Sequence, residues 1–253
     1  MTEQTTAPGD RSIAIGGDII HSILITGDHN QVFVGEYERL RDAYIPPWSV
    51  FQRVRLDRFV GREWLTTEID AFLRQNDRGL FVLEAAAGLG KSTFLAHLVQ
   101  TRGYIHHFVE LAPGRDGIAL GLRNLAAQLV RAWELDLYQA EGVLPGAAAR
   151  PDFLQNLLFE VAHRRDKVRP GEQIVLVVDA LDEAGVPAGQ NVLGLPRVLP
   201  KGVHLIVSQR PVAVPLRVEG HRRIFRLEAE SEENRADMRV YLEAAATWPW
   251  CCF

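Results

Sequence analysis

Leu80-Phe81-Val82-Leu83-Glu84-Ala85-Ala86-Ala87-Gly88-Leu89-Gly90-Lys91-Ser92-Thr93 is the stretch on which the fold of this 253-residue chain turns. An apolar run of strand character passes into a loop of small residues, and Gly90-Lys91-Ser92 then opens a helical stretch that reaches Gln100. Strand, small-residue loop and helix in this order are the context that a phosphate-cradling loop demands. Small side chains let the amides of residues 87–92 approach an anion, and the helix N-terminus adds a partial positive field. The pattern G-x-x-x-x-G-K-[ST] has glycine in its first place and this chain has Ala85, which allows the same turn provided its φ stays negative. The expected phosphate contacts are Ala87, Gly88, Leu89, Gly90, Lys91, Ser92 and Thr93. Lys91 is expected on the β- and γ-phosphates, the Ser92 hydroxyl on Mg²⁺, and Thr93 near the α-phosphate.

A second acidic motif reads Ile174-Val175-Leu176-Val177-Val178-Asp179-Ala180-Leu181-Asp182-Glu183. Five continuous apolar residues predict a buried strand that should be central in its sheet. In a parallel sheet, ligands gather at the carboxyl ends of the strands, so Asp179 is expected beside the phosphate loop as the Mg²⁺-side carboxylate. Asp182 or Glu183 would orient or deprotonate the attacking water, and the sequence does not choose between them. Ser208-Gln209-Arg210-Pro211 ends another strand, and Arg210 there is placed to reach a γ-phosphate.

Outward from these motifs, β-like runs at 80–83, 104–110, 174–179, 204–208 and 223–227 alternate with helical stretches at 63–74, 91–100, 118–135, 151–165 and 232–246. Such alternation predicts an α/β fold of the three-layer αβα kind with a mostly parallel five-stranded sheet. Ahead of it, Ile13-Ala14-Ile15-Gly16-Gly17-Asp18 and Ile23-Leu24-Ile25-Thr26-Gly27-Asp28 form a short repeat, so residues 1–36 read as a small β-element. Pro46-Pro47 interrupts any helix between them, which makes residues 37–57 a linker, residues 58–247 the nucleotide-binding domain and residues 248–253 a tail without helix signal.

A formal net charge of −4 gives no basic excess of the kind that neutralises a nucleic-acid backbone, so nucleic acid is not the expected partner. The run from His163 to Arg169 reads as a helix end carrying cations, which suits its dipole. No apolar run reaches the roughly 18 residues that span a bilayer and the start lacks a secretory signature, so a cytoplasmic chain without a membrane partner is expected. Cys251 and Cys252 are adjacent and cannot staple distant segments. His106 and His107, on one strand, point to opposite faces and do not make a two-ligand clip.

Taken together, these motifs resemble the STAND class of P-loop NTPases, the signal-transduction ATPases that include NACHT and NB-ARC modules, over roughly residues 59–246. Phe59-Val60-Gly61-Arg62-Glu63 is similar to the opening motif of that class, whose backbone lies near the adenine, which brings in Val60, Gly61 and Arg62 as nucleotide contacts. Asp179-Ala180-Leu181-Asp182-Glu183 resembles its acidic signature, Ser208-Gln209-Arg210-Pro211 its sensor segment, and the stretch from Asn234 to Leu242 the helix after the fifth strand. The resemblance implies a bacterial ATP/ADP switch with Mg²⁺ and slow hydrolysis, homo-oligomerisation on ATP binding, and effector or sensor partners that it does not identify. Members usually continue into a winged-helix domain and a repeat array, so this chain is expected to be the NTPase core alone. An AAA-like remodelling ATPase, or a non-catalytic scaffold that nucleotide stabilises, are the alternatives.

Overall fold

A computed structural model describes residues 37–114, 116–135, 138 and 142–248. The expected β-element at 1–36, and residues 249–253 of the tail, lie outside the described residues. The compact unit begins at Tyr37. Its strands are β1 (Tyr37–Arg39), β2 (Gly79–Glu84), β3 (Ile105–Phe108), β4 (Val143–Pro145), β5 (Ile174–Asp179), β6 (Val203–Gln209) and β7 (His221–Arg226). Its helices are α1 (Leu40–Ala43), α2 (Trp48–Arg53), α3 (Glu63–Gln75), α4 (Lys91–Arg102), α5 (Gly117–Ala132), α6 (Pro151–Val168) and α7 (Glu232–Thr247).

Five strands form one sheet in the order β3-β5-β6-β2-β7, with every pairing parallel. Side-chain alternation divides its residues between two cores. Leu80, Val82, Leu176, Val178, Leu205 and Val207 face α5 and α6, whereas Phe81, Leu83, Val175, Val177 and Ile206 face α3 and α4. On α3 the positions Leu65, Ile69, Phe72 and Leu73 are all buried. Each such side chain contributes about 1.5–3 kcal/mol relative to exposure, so this face holds the helix against the sheet. The result is an α/β unit with helices on both faces of a parallel sheet.

Three expectations need correction. The expected linker carries short elements: β1 pairs antiparallel with β4, and Val50 and Phe51 of α2 are buried against the α3/α4 side. No helix runs through Pro46-Pro47, as expected, and Pro47 also precedes the first turn of α2, where a missing N–H costs nothing. The strand expected over 104–110 stops at Phe108, and Val109–Leu111 turns as a 3₁₀ segment. The strand 174–179 is interior, yet the middle of the sheet belongs to β6, whose seven residues are all buried.

The two borders of the sheet differ. On β3 the main-chain N–H of His106 donates to Gln128 Oε1 at 3.0 Å, and its carbonyl accepts from Gln128 Nε2 at 2.7 Å and Asn124 Nδ2 at 2.9 Å. Side-chain amides of α5 thus take the place of a neighbouring strand. At the other border β7 presents Arg222, Arg223 and Arg226, with Arg223 paired to Glu68 and Arg226 to Glu84. No helix among the described residues is long and apolar enough to cross a membrane.

Candidate functional site

β2 ends at Glu84 and α4 begins at Lys91, so residues 85–90 form the loop between them at the carboxyl edge of the sheet. Gly88 and Gly90 have φ of +81° and +79°, a conformation that costs a side-chain-bearing residue roughly 1–2 kcal/mol. Ala85 is not among the positive-φ residues, so alanine meets the condition for replacing glycine there. Its N–H donates to the Gln209 carbonyl at 3.2 Å, tying the loop to β6. α4 starts without a side-chain cap and without an acid in its first turn, whereas α3, α6 and α7 each carry one. A lysine stands there instead, against the sense of the helix dipole. Lys91 Nζ donates to the carbonyls of Ala85 and Ala86 at 2.7 and 2.9 Å. Burial lowers its pKa, while Asp179 and Asp182 pull it back up.

The register of the sheet brings the second motif to this edge. Phe108 pairs with Asp179 and Val178 with Val207, which sets Asp179 beside Ser208. Ser208 Oγ donates to Asp179 Oδ1 at 2.5 Å and accepts from the Ala180 N–H at 2.9 Å. Asp179 is 3% exposed. Burial raises its carboxyl pKa, and hydrogen bonds from Ser208 and Ser92 oppose that rise. Asp179 and the start of α4 therefore meet, although β6 separates their strands. The partner on the intervening strand, Ser208, was not singled out from sequence: it lay inside a quoted motif whose arginine drew the attention.

Beyond Asp179 the chain turns at Ala180, φ +57°, into a 3₁₀ segment that carries Asp182 and Glu183. Asp182, with its side chain 4% exposed, accepts from the Arg210 N–H at 3.1 Å and from Arg210 Nε at 2.5 Å. Glu183 is half exposed and meets Arg210 Nη2 through Oε1 at 3.2 Å. The two carboxylates that sequence could not tell apart are thus different. Asp182 has both oxygens committed to holding Arg210, and Glu183 has one oxygen without a partner among the described residues. The Asp182 hydrogen bond raises the Arg210 pKa further.

A hollow of about 450 Å³ adjoins the loop, bounded by Phe59, Val60, Arg62, Gly90, Thr93 and Tyr241 among others, and its size falls within the range of small-molecule sites. Arg62, at φ +70°, crosses from the loop to the last helix. Its Nη2 donates to the Leu89 carbonyl at 3.2 Å and to Asn234 Oδ1 at 2.8 Å, and its N–H donates to Asp237 Oδ1 at 3.1 Å. Trp64 Nε1 donates to the other Asp237 oxygen at 2.8 Å. The main-chain donor of Arg62 is thus engaged by Asp237. Neither Asn234 nor Asp237 was a sequence-level candidate, because their role depends on a contact across more than 170 positions.

Among the described residues no three His, Cys, Asp or Glu side chains gather as a metal cage. Ser92 and Asp179 offer hard oxygen donors, a set that fits Mg²⁺ shared with phosphate oxygens and water. The open space over the Gly88 Cβ direction, the uncapped start of α4 and its ammonium group fit a phosphate chain. Compared with known protein families and curated proteins, the sequence matches no family model and no curated relative.

Proposed function

We propose that this chain binds a nucleoside triphosphate, ATP before others, together with Mg²⁺ in this cradle, and acts as a slowly hydrolysing switch of the STAND kind in bacterial conflict, defence or regulatory signalling. One juxtaposition supports it most: a lysine at an uncapped, acid-free helix start, facing a buried carboxylate across the carboxyl edge of a parallel sheet. A cation opposing the dipole and an acid kept from water are both costly on their own, and both costs are offset by an anion with its metal ion.

In this proposal Lys91 and the first N–H groups of α4 bind the phosphates, and Ser92 and Asp179 hold the metal. Bound Mg²⁺ neutralises phosphate charge. Glu183 takes the proton of the attacking water on its unpartnered oxygen. Asp182 acts as a positioning residue that holds Arg210, and Arg210 answers to the γ-phosphate. The hollow beside Val60 and Thr93 takes the nucleoside. Association of copies follows ATP binding.

Titration of the full chain with a fluorescent ATP analogue and Mg²⁺ tests this. Wild type is expected to bind saturably and Lys91→Ala to lose at least about tenfold in affinity, the scale of a charged hydrogen bond. Glu183→Gln is expected to keep that affinity while single-turnover hydrolysis falls about 100-fold. Unchanged affinity in Lys91→Ala overturns the proposal, and turnover stimulated by DNA or a client protein turns it toward a remodelling ATPase. Sedimentation with and without ATP reads the association.

A further inference from the structure

A continuous run of hydrogen bonds joins the phosphate loop to α7, and Arg62 is its middle link. Its Nη2 donates on one side to the Leu89 carbonyl at 3.2 Å and on the other to Asn234 Oδ1 at 2.8 Å. The Asn234 amide goes on to the Ala229 carbonyl at 2.8 Å, just ahead of the helix. Asp237 holds the arginine in place: one oxygen accepts from the Arg62 N–H at 3.1 Å and the other lies 3.4 Å from Arg62 Nε. The Arg62 side chain is 13% exposed, its Nη1 has no partner among the described residues, and burial lowers its pKa against the pull of Asp237. Its backbone stands at φ +70°, where side chains are rarely found. A residue that carries both strain and desolvation is one whose geometry its surroundings enforce.

Peptide geometry gives the contact with Leu89 its consequence. The Leu89–Gly90 peptide is trans and planar, so its N–H points opposite to its carbonyl. With the carbonyl turned to Arg62, the Gly90 N–H is aimed away from Arg62, and it has no partner among the described residues. It stands next in the chain to the amides of Lys91, Ser92 and Thr93, the uncapped start of α4. An anion that accepts from the Gly90 N–H polarises the same peptide, which makes the Leu89 carbonyl a stronger acceptor for Arg62 Nη2.

We propose that Arg62 is a positioning residue that fixes the Leu89–Gly90 peptide with its N–H toward the phosphates and, through Asn234, makes the docking of α7 depend on nucleotide. The role rests on the nucleotide binding proposed above and supplies its regulation. Coupling is reciprocal, so a nucleotide that tightens α7 is itself held more tightly while α7 is docked. α7 suits such a role because Asn234 is its only buried residue, and little apolar packing masks a change in that polar anchor.

Two measurements on the full chain test this: affinity for a fluorescent ATP analogue with Mg²⁺, and hydrogen exchange along α7 with and without saturating analogue. In wild type, saturation is expected to slow exchange of the α7 amides about fivefold, the lower end of typical coupling between sites. Arg62→Lys keeps the charge and the side-chain-bearing backbone but lacks the planar fork that reaches Leu89 and Asn234 together. It is expected to lower affinity about tenfold, the scale of a charged hydrogen bond, and to erase the difference between free and saturated exchange. Ser231→Ala removes the cap of α7 and leaves the relay, so exchange is expected to quicken in both states with their ratio kept. β5 and β6 are expected to keep their protection in both variants. If Arg62→Lys quickens exchange equally in both states, Arg62 is structural only and the proposal is overturned; a ratio lost in Ser231→Ala overturns it as well. Wild-type exchange that ignores saturation, where binding still weakens in Lys91→Ala, overturns the relay and leaves the nucleotide site standing. No saturable binding overturns both.

Discussion

At the scale of the residue, Asp179 sets stability against the role proposed for it. Its folded pKa is raised by burial, so the carboxylate costs nothing while protonated at low pH and destabilises the fold once pH rises through the unfolded value. Asp179→Asn removes that charge and leaves an acceptor for Ser208. The expected outcome is a fold without nucleotide more stable by about 1 kcal/mol, a gain of about 2–4 °C in calorimetric melting for a domain of this size. The Mg²⁺-dependent part of nucleotide affinity should fall in the same variant, and a lowered melting temperature would contradict the account. The placement of Lys91, Ser92 and Asp179 at one edge of the sheet was legible in the sequence because each sits at a strand end or helix start that local pattern reveals. The difference between Asp182 and Glu183 was not, since it depends on where the main chain of Arg210 arrives from another strand.

At the scale of the element, α7 is held to the loop largely through polar groups. Ser231 caps it by accepting from the Asn234 N–H, and Asn234 is its only buried residue. Met238, Tyr241 and Leu242 stay exposed, so apolar burial contributes little to its docking. Its anchor is Asp237, packed so closely on Gly61 that a Cβ there would lie 2.7 Å from the carboxylate, at a φ of +79°. Gly61→Ala is therefore expected to cost about 1–2 kcal/mol in backbone strain, before any displacement of Asp237. Hydrogen exchange should show the amides of α7 opening at least about tenfold faster, since 1.4 kcal/mol is a factor of ten, while β5 and β6 keep their protection. Equal protection in both proteins would mean that Asp237 does not hold the helix. Helices α3, α4 and α7 were legible because their apolar spacing or caps are local. Pro46-Pro47 does break the helical course of residues 37–57, but a proline just before a helix is also a start, and that second meaning was not read from the sequence.

At the scale of the whole molecule, acid should unfold this chain earlier than its carboxylates alone would. His106, His107 and His204 are buried with lowered pKa values, His107 to about 4, in each case chiefly through burial. A neutral histidine of this kind is without penalty above its unfolded value near 6.5, and its stabilisation is lost as pH falls toward the folded value. His107 alone accounts for about 3 kcal/mol between pH 6.5 and 4, at about 1.4 kcal/mol per unit. Urea unfolding across that interval should show the slope, and His107→Gln should flatten it; a flat wild-type profile would refute the assignment. The α/β class was legible from the alternation of strands and helices. The order of strands was not: nothing local to β6 says that it inserts between β2 and β5, because that choice is made by how two cores share the sheet. The two borders of that sheet carry a last consequence. A neighbouring copy that tried to add a rung would meet amide side chains already bonded to His106 on one flank and a row of guanidinium groups on the other. Edge-to-edge polymerisation of this sheet into a filament is disfavoured from both directions.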